Sequence, residues 1–230
     1  MKFNPLDFPA GLLRPRYATT ASAWHSHIPF GMALVAMKRP RLLVELGTHR
    51  GDSYCAFCQA VAETRLPTRC CAIDTWKGDA YTGQFTEEVL ATLRKHHDPL
   101  YGSFSQLVQS DFASAVGRFA DGSIDLLHID GSHTYEDVKR DFEQYLPKVS
   151  PDGIILFHDT AEKRPTFGVW RLWAELAARY PLCFEFTHGH GLGVLALSAN
   201  QPQGVLDFFE AARSQPALIQ ELYQSRSEER

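Results

Sequence analysis

A chain of 230 residues, 44% apolar and 22% charged, is long enough to bury one sizeable core and has the composition of an ordinary globular domain with additions. The formal net charge of −4 and the absence of any Lys/Arg block argue against a nucleic-acid partner. No apolar run is long enough to span a bilayer and no export leader stands at the start, so the expected setting is the cytoplasm, with no membrane partner and with the five cysteines as free thiols.

Residues 1–16 are proline-rich and are expected to lie over the surface. Residues 20–37 predict a helix, with Ser22 as its cap and Pro40 closing it. Trp24, His25 and His27 near its start suit either a helix packed on the sheet edge or a lid over a ligand. Residues 41–46, Arg-Leu-Leu-Val-Glu-Leu, read as a strand ending on Gly47, and residues 54–61 read as a helix after a second glycine, Gly51. Strand, glycine turn and helix form the opening unit of a parallel α/β sheet. Gly47 permits a backbone conformation closed to other residues, and the next helix presents free N–H groups at its start. The spacing G-x-x-x-G is neither the dinucleotide pattern nor the phosphate-loop pattern, and no lysine follows. A small uncharged or cationic ligand therefore fits better than a triphosphate.

Cys55 and Cys58 sit at i, i+3 on that helix and read as core. Residues 68–74 predict a second strand ending on Asp74, an acid placed where ribose hydroxyls can be held. Residues 75–85 contain two glycines and three aromatics and suit a mobile wall over a ligand. Next come a helix over 87–97, a strand over 104–109 ending at Ser110-Asp111, and a short helix over 113–119. A strand over 124–130 is followed by a helix over 134–146, and a strand over 153–158 carries Asp159 at its tip. A helix over 167–180, strands over 183–187 and 192–197 joined by His-Gly-His-Gly, and helices over 205–213 and 217–224 complete the chain, whose charged tail is expected to fray.

Five strands alternating with helices and a closing hairpin predict a doubly wound, mostly parallel seven-stranded α/β sheet with an antiparallel C-terminal edge. In such sheets ligands bind at the carboxyl ends of the strands. Glu45, Asp74, Asp111, Asp130 and the pair His158-Asp159 all stand there. Asp130 and His158-Asp159 end neighbouring strands, so two carboxylates and an imidazole converge in a set suited to Mg²⁺ or Mn²⁺, with histidine widening the choice to Fe²⁺ or Zn²⁺. His133, three residues after Asp130, is a candidate general base, because imidazole titrates near neutrality.

The segments V-E-L-G-T-H-R-G-D-S, I-D-T-W-K-G-D, I-D-L-L-H-I-D-G-S-H-T-Y-E-D-V and G-I-I-L-F-H-D-T resemble the class I S-adenosylmethionine-dependent methyltransferases. The nearest resemblance is to the group containing sugar and macrolide O-methyltransferases and cephalosporin-hydroxylase-like proteins. It runs over about residues 42–197. It implies that Glu45, Gly47, Thr48, Gly51 and Ser53 line the methionine end of S-adenosylmethionine. It also implies that Asp74 takes the ribose hydroxyls with Trp76 nearby, and that Asp111 and Phe112 sit by the adenine. Asp130 and Asp159 match metal ligands of the metal-dependent members, with His158 as a further candidate ligand. His133 matches a base found in some of them. His158 departs from the pattern, since metal-dependent members often carry an acid there.

The organisation implied is an N-terminal extension over 1–40, a methyltransferase domain over 41–200, and C-terminal helices and tail over 201–230. The function implied is O-methylation of a sugar or glycoside hydroxyl, with S-adenosylmethionine as cofactor and Mg²⁺ or Mn²⁺ assistance. The acceptor would be a small molecule or glycan, and a second copy or a glycosyltransferase is a candidate partner. The alternative is a non-catalytic cofactor-binding or partner domain of glycan biosynthesis. A nicotinamide enzyme is disfavoured by the missing G-x-G.

Overall fold

A computed structural model describes residues 3–20, 22–79 and 83–228. Three residues of the aromatic loop expected to wall the ligand, 80–82, and the last two of the charged tail lie outside the described residues. Seven strands form one sheet: β1 (Leu42–Leu46), β2 (Arg69–Asp74), β5 (Ser105–Gln109), β6 (Ile124–Ile129), β7 (Val149–His158), β8 (Cys183–Phe186) and β9 (Leu192–Ala196). Two-residue strands β3 (Gly78–Asp79) and β4 (Gly83–Gln84) make a separate small ladder. The order in the large sheet is β5-β2-β1-β6-β7-β9-β8. The first five of these strands pair in parallel, and β9 runs antiparallel to both β7 and β8. The predicted architecture is thus the observed one.

Alternate strand residues feed two apolar layers, because successive side chains point to opposite faces. Leu43, Ala72, Leu126, Ile154 and Leu156 meet α1 (Ile28–Lys38), α2 (Asp52–Thr64), α3 (Glu87–Tyr101), α7 (Gln203–Ser214) and α8 (Pro216–Glu228). Val44, Ile73, Leu127, Ile129, Ile155 and Phe157 meet α4 (Phe112–Ala115), α5 (Tyr135–Tyr145) and α6 (Val169–Arg179). Burial on both faces is why these strands read as continuous apolar runs. Four of the five free cysteines are buried among them.

Several predicted boundaries move, each for a local reason. The helix expected over 20–37 is a 3₁₀ turn, Ala23–His27, followed by α1, and Pro29 stands in the first turn of α1. A proline has no N–H to continue a helix that began before it, but suits a helix start. Ser22 does cap, its hydroxyl oxygen accepting from the Trp24 N–H. β7 begins at Val149, ahead of the expected residue 153, and its pairing with β6 slips between Ile124 and Leu126. α3 continues through Pro99 to the buried Tyr101. The N-terminal lead-in does more than cross the surface. Phe3 is buried and packs edge-on to Phe208 of α7 at 5.8 Å.

Candidate functional site

Two clefts open side by side at the carboxyl ends of the parallel strands. The first, of about 490 Å³, is lined by the tips of β1, β2 and β6 together with Phe85, Asp111, Phe112, Arg140 and Asp141. That volume lies in the range of small-molecule sites. The second, of about 330 Å³, is lined by the segment before α1, the start of α2, and the tips of β6 and β7. His49, Asp130 and His133 line both.

The turn after β1 is held from within. Asp74 Oδ2 accepts the Thr48 N–H at 2.9 Å and the His49 N–H at 2.8 Å, and Asp74 Oδ1 accepts the Trp76 N–H at 2.7 Å. The Trp76 indole in turn donates to the His49 carbonyl at 2.8 Å. The His49 ring stacks on Phe85 with centroids 4.7 Å apart, forming one wall of the first cleft. Gly47 adopts φ +86°, and a Cβ there would stand 2.0 Å from the Asp130 carbonyl oxygen. Glycine is required because the tips of β1 and β6 touch at this point. Of the six non-glycine residues with positive φ among the described residues, His49, Trp76, Asp159 and His190 lie around the clefts, while Arg39 and Arg65 cap helices. Such conformations are costly and concentrate at functional sites.

Of the residues singled out in the sequence, Gly47, Asp74, Asp111 and Phe112 line the first cleft, and Thr48, Ser53, His158 and Asp159 line the second. Asp130 and His133 line both. Glu45, Gly51 and Trp76 line neither and act from behind. Gly51 starts α2, Trp76 buttresses the turn, and Glu45 is fully buried. Burial raises the Glu45 carboxyl, against hydrogen bonds from His128 and Ser53. Asp111 caps α4, its Oδ1 accepting the Ser114 N–H at 2.8 Å.

The second cleft closes on a cluster of charge. His158 Nδ1 lies 3.3 Å from Asp130 Oδ1 and 3.4 Å from Asp159 Oδ2, and its Nε2 lies 3.1 Å from the Gly189 carbonyl. Both ring nitrogens face acceptors only, so both carry protons. Burial pushes this imidazole down, but the two carboxylates outweigh it and hold His158 up to about 10. In return, His158 and the hydrogen bond from His133 hold Asp159 well below the usual carboxylate range against its own burial. His133 Nε2 lies 2.9 Å from Asp159 Oδ2, and His190 Nδ1 lies 3.3 Å from Asp159 Oδ1. Asp130 is likewise lowered by His158, despite burial.

Among the described residues, the group that could hold a metal ion is therefore Asp130, His133 and Asp159, each offering an atom within 4.8 Å of the others. His158 stands beside them as a cation rather than with a lone pair turned inward. Two carboxylates and one imidazole suit Mn²⁺, Mg²⁺ or Fe²⁺, and the donor set fits such an ion once His133 Nε2 gives up its proton. His158 already supplies one compensating positive charge.

The residues missed in the sequence are His49 and Asp141 in the first cleft, and Asp52, Arg164, Phe167 and His190 in the second, whereas Phe85 belongs to the loop expected to wall the ligand and Trp24 to the segment expected to pack or to form a lid. Asp141 had a visible signal. It falls on the buried stripe of α5 with Val138, Phe142 and Tyr145, an acid at a core-facing position. Burial pushes its carboxyl from 3.8 to about 6, with Arg140 lowering it and Asp137 raising it. A carboxyl raised in the native state binds protons more tightly there, so its contribution is full below about pH 4 and is lost as pH rises through about 6. Asp141→Asn should therefore stabilise the ligand-free protein by roughly 2 kcal/mol at pH 7.5 and flatten the fall in stability between about pH 4 and 6. Urea melts across that range check this, and parallel curves for the two proteins would refute it.

Among the described residues no helix is long and apolar enough to cross a membrane. A family model described as a methyltransferase domain matches residues 44–160. A protein of Sinorhizobium fredii described as uncharacterized is 50% identical over 184 residues, spanning 80% of this chain. The match spans only 20% of that relative, which is much longer. The fold resembles an O-methyltransferase from Bacillus cereus solved with SAH (TM-score 0.58, 14% identity, 84% of this chain and 87% of that one). It also resembles a methyltransferase from Geobacter sulfurreducens (TM-score 0.54, 18% identity, 75% and 80%).

Proposed function

The chain belongs to this methyltransferase-domain family, and from that premise we propose that it transfers the methyl group of S-adenosylmethionine to a hydroxyl oxygen of a sugar or glycoside. The observation that carries the reading is the junction of the two clefts. One is lined by the glycine turn, Asp74, Asp111 and Phe112, the other ends on carboxylates and imidazoles, and Asp130 stands between them.

S-adenosylmethionine supplies a methyl group on a sulfonium, which needs only an acceptor oxygen held in line and relieved of its proton. In the first cleft, Gly47 lines the β1 tip against which a ligand would lie, and Asp74, Asp111 and Phe112 frame its far end. In the second, the exposed side chains of His190 and Arg164 offer hydrogen-bonding groups to a polyol. Asp130, at the junction, takes the proton. The role passes to it from His133, whose Nε2 is committed to Asp159 and whose Nδ1 is sealed from the cleft. A divalent cation held by Asp130, His133 and Asp159 would lower the pKa of an acceptor hydroxyl.

The second reading, a non-catalytic cofactor-binding or partner domain, draws on the much longer relative that shares this stretch. One experiment separates the two. Labelled S-adenosylmethionine is incubated with panels of glycosides and nucleotide sugars, with and without chelator, and methylated product and S-adenosylhomocysteine are measured. Acceptor-dependent turnover is expected, falling in chelator and restored by Mn²⁺ or Mg²⁺. Binding of S-adenosylhomocysteine without turnover on any acceptor would favour the partner domain. Full turnover in excess chelator would remove the cation.

A further inference from the structure

Four acids line the first cleft: Asp74, Asp111, Asp130 and Asp141. Three are already engaged by the protein. Asp74 accepts three backbone N–H groups, Asp111 caps α4, and Asp130 faces His158. Asp141 is different. It is only 4% exposed, and among the described residues its carboxylate accepts no hydrogen bond and forms no ion pair. Its neighbour Arg140 gives its guanidinium to Asp137 at 2.6 Å. A buried carboxylate without a donor is costly, and a group that faces a cleft in that state is waiting for a donor from a ligand.

Its surroundings define that ligand. A methyl built on Gly131 would stand 3.6 Å from Asp141 Oδ2 and 2.5 Å from Phe112 Cε2. The Phe112 ring and the Asp141 carboxylate thus share one patch over Gly131, which only a residue without a side chain leaves open. The Phe112 backbone is fixed by the Tyr145 hydroxyl, which donates to its carbonyl at 2.9 Å. An aromatic face with an acceptor at its edge suits a flat heterocycle carrying an N–H donor.

We infer that Asp141 accepts a hydrogen bond from the exocyclic amine of the cofactor's adenine, and is the residue by which this site selects a 6-amino purine over a 6-oxo purine. The inference rests on the S-adenosylmethionine reading. In S-inosylhomocysteine the amine is replaced by a carbonyl, which turns a lone pair on the carboxylate in place of a donor.

Calorimetry on the intact chain tests it, with S-adenosylhomocysteine and S-inosylhomocysteine as the two ligands. The wild type should prefer the adenine ligand by about 10–100-fold, the value of a hydrogen bond to a charged acceptor. Asp141→Asn keeps the shape, and its amide can turn either oxygen or nitrogen outward. It should bring the two affinities to within about threefold, chiefly by weakening the adenine ligand. Equal affinities in the wild type, or an undiminished preference in Asp141→Asn, would overturn the role of Asp141 and leave the cofactor reading standing. Failure of the wild type to bind either ligand would overturn both.

Discussion

Asparagine in place of Asp130 is expected to lower methyl-transfer turnover by about 10²–10⁴-fold, the usual size of a positioned proton acceptor, with affinity for S-adenosylhomocysteine nearly unchanged. The geometry sets this expectation. Asp130 lines both clefts with a side chain 21% exposed, so it can reach a ligand in either. His158 holds it anionic and below the usual carboxylate range, which makes it a weak base. A weak base suffices when the methyl donor is a sulfonium, because the hydroxyl can release its proton as the new bond forms. Asparagine has the same outline but cannot take that proton, and it removes one of the two charges that hold His158. His133→Ala is the control. It should lower turnover less, through loss of one of the three cation ligands and of the group that orients Asp159, and added Mn²⁺ should recover part of that loss. Rates measured for both variants on one acceptor decide the matter. Near-normal turnover in Asp130→Asn, with the larger loss in His133→Ala, would make His133 the base.

The sheet was legible because its strands are buried on both faces and read as short apolar runs between glycine turns. The places of the polar residues were legible for a related reason: an acid closing an apolar run stands at a strand tip, and tips are where such folds bind. What the chain does not reveal in one dimension is how a polar side chain divides its hydrogen bonds. Asp74 reads as a ribose ligand from its position, yet all three of its bonds within the protein secure the backbone of the turn and its own loop. His158 reads as a metal ligand, yet both nitrogens meet acceptors, one of them a carbonyl 31 residues away. The β3–β4 ladder is too short to show a period, and Pro151 and Asp152 hide the first half of β7. Asp141 could have been found, since an acid on an amphipathic stripe is an anomaly that calls for a partner.

The segment before α1 was open to two readings, a lid or a packed wall, and Trp24→Ala separates them. Trp24 is 2% exposed, stands edge-on to Phe57 at 5.3 Å, and donates its indole N–H to His128 Nε2 at 3.2 Å, across 104 residues of chain. Indole can only donate, so His128 Nε2 carries the lone pair and its Nδ1–H must donate, which it does to Glu45 Oε2 at 2.8 Å. Glu45 and His128 are register partners on β1 and β6, both turned to the α1–α2 layer. The segment is tied a second time at Asp52, which accepts from the Thr19 N–H, the Thr19 hydroxyl and His25. A wall pinned in this way belongs to the core. Trp24→Ala should cost about 3–5 kcal/mol, from the lost packing and from a buried His–Glu pair left without its third member. Trp24→Phe keeps most of the volume and loses the hydrogen bond, so it should cost only about 1–3 kcal/mol. Denaturant melts of both give the comparison. A loss below about 1 kcal/mol for Trp24→Ala would mean that the segment lies on the domain as a detachable lid. Equal losses for the two variants would mean that the indole N–H, rather than the ring, holds the wall in place.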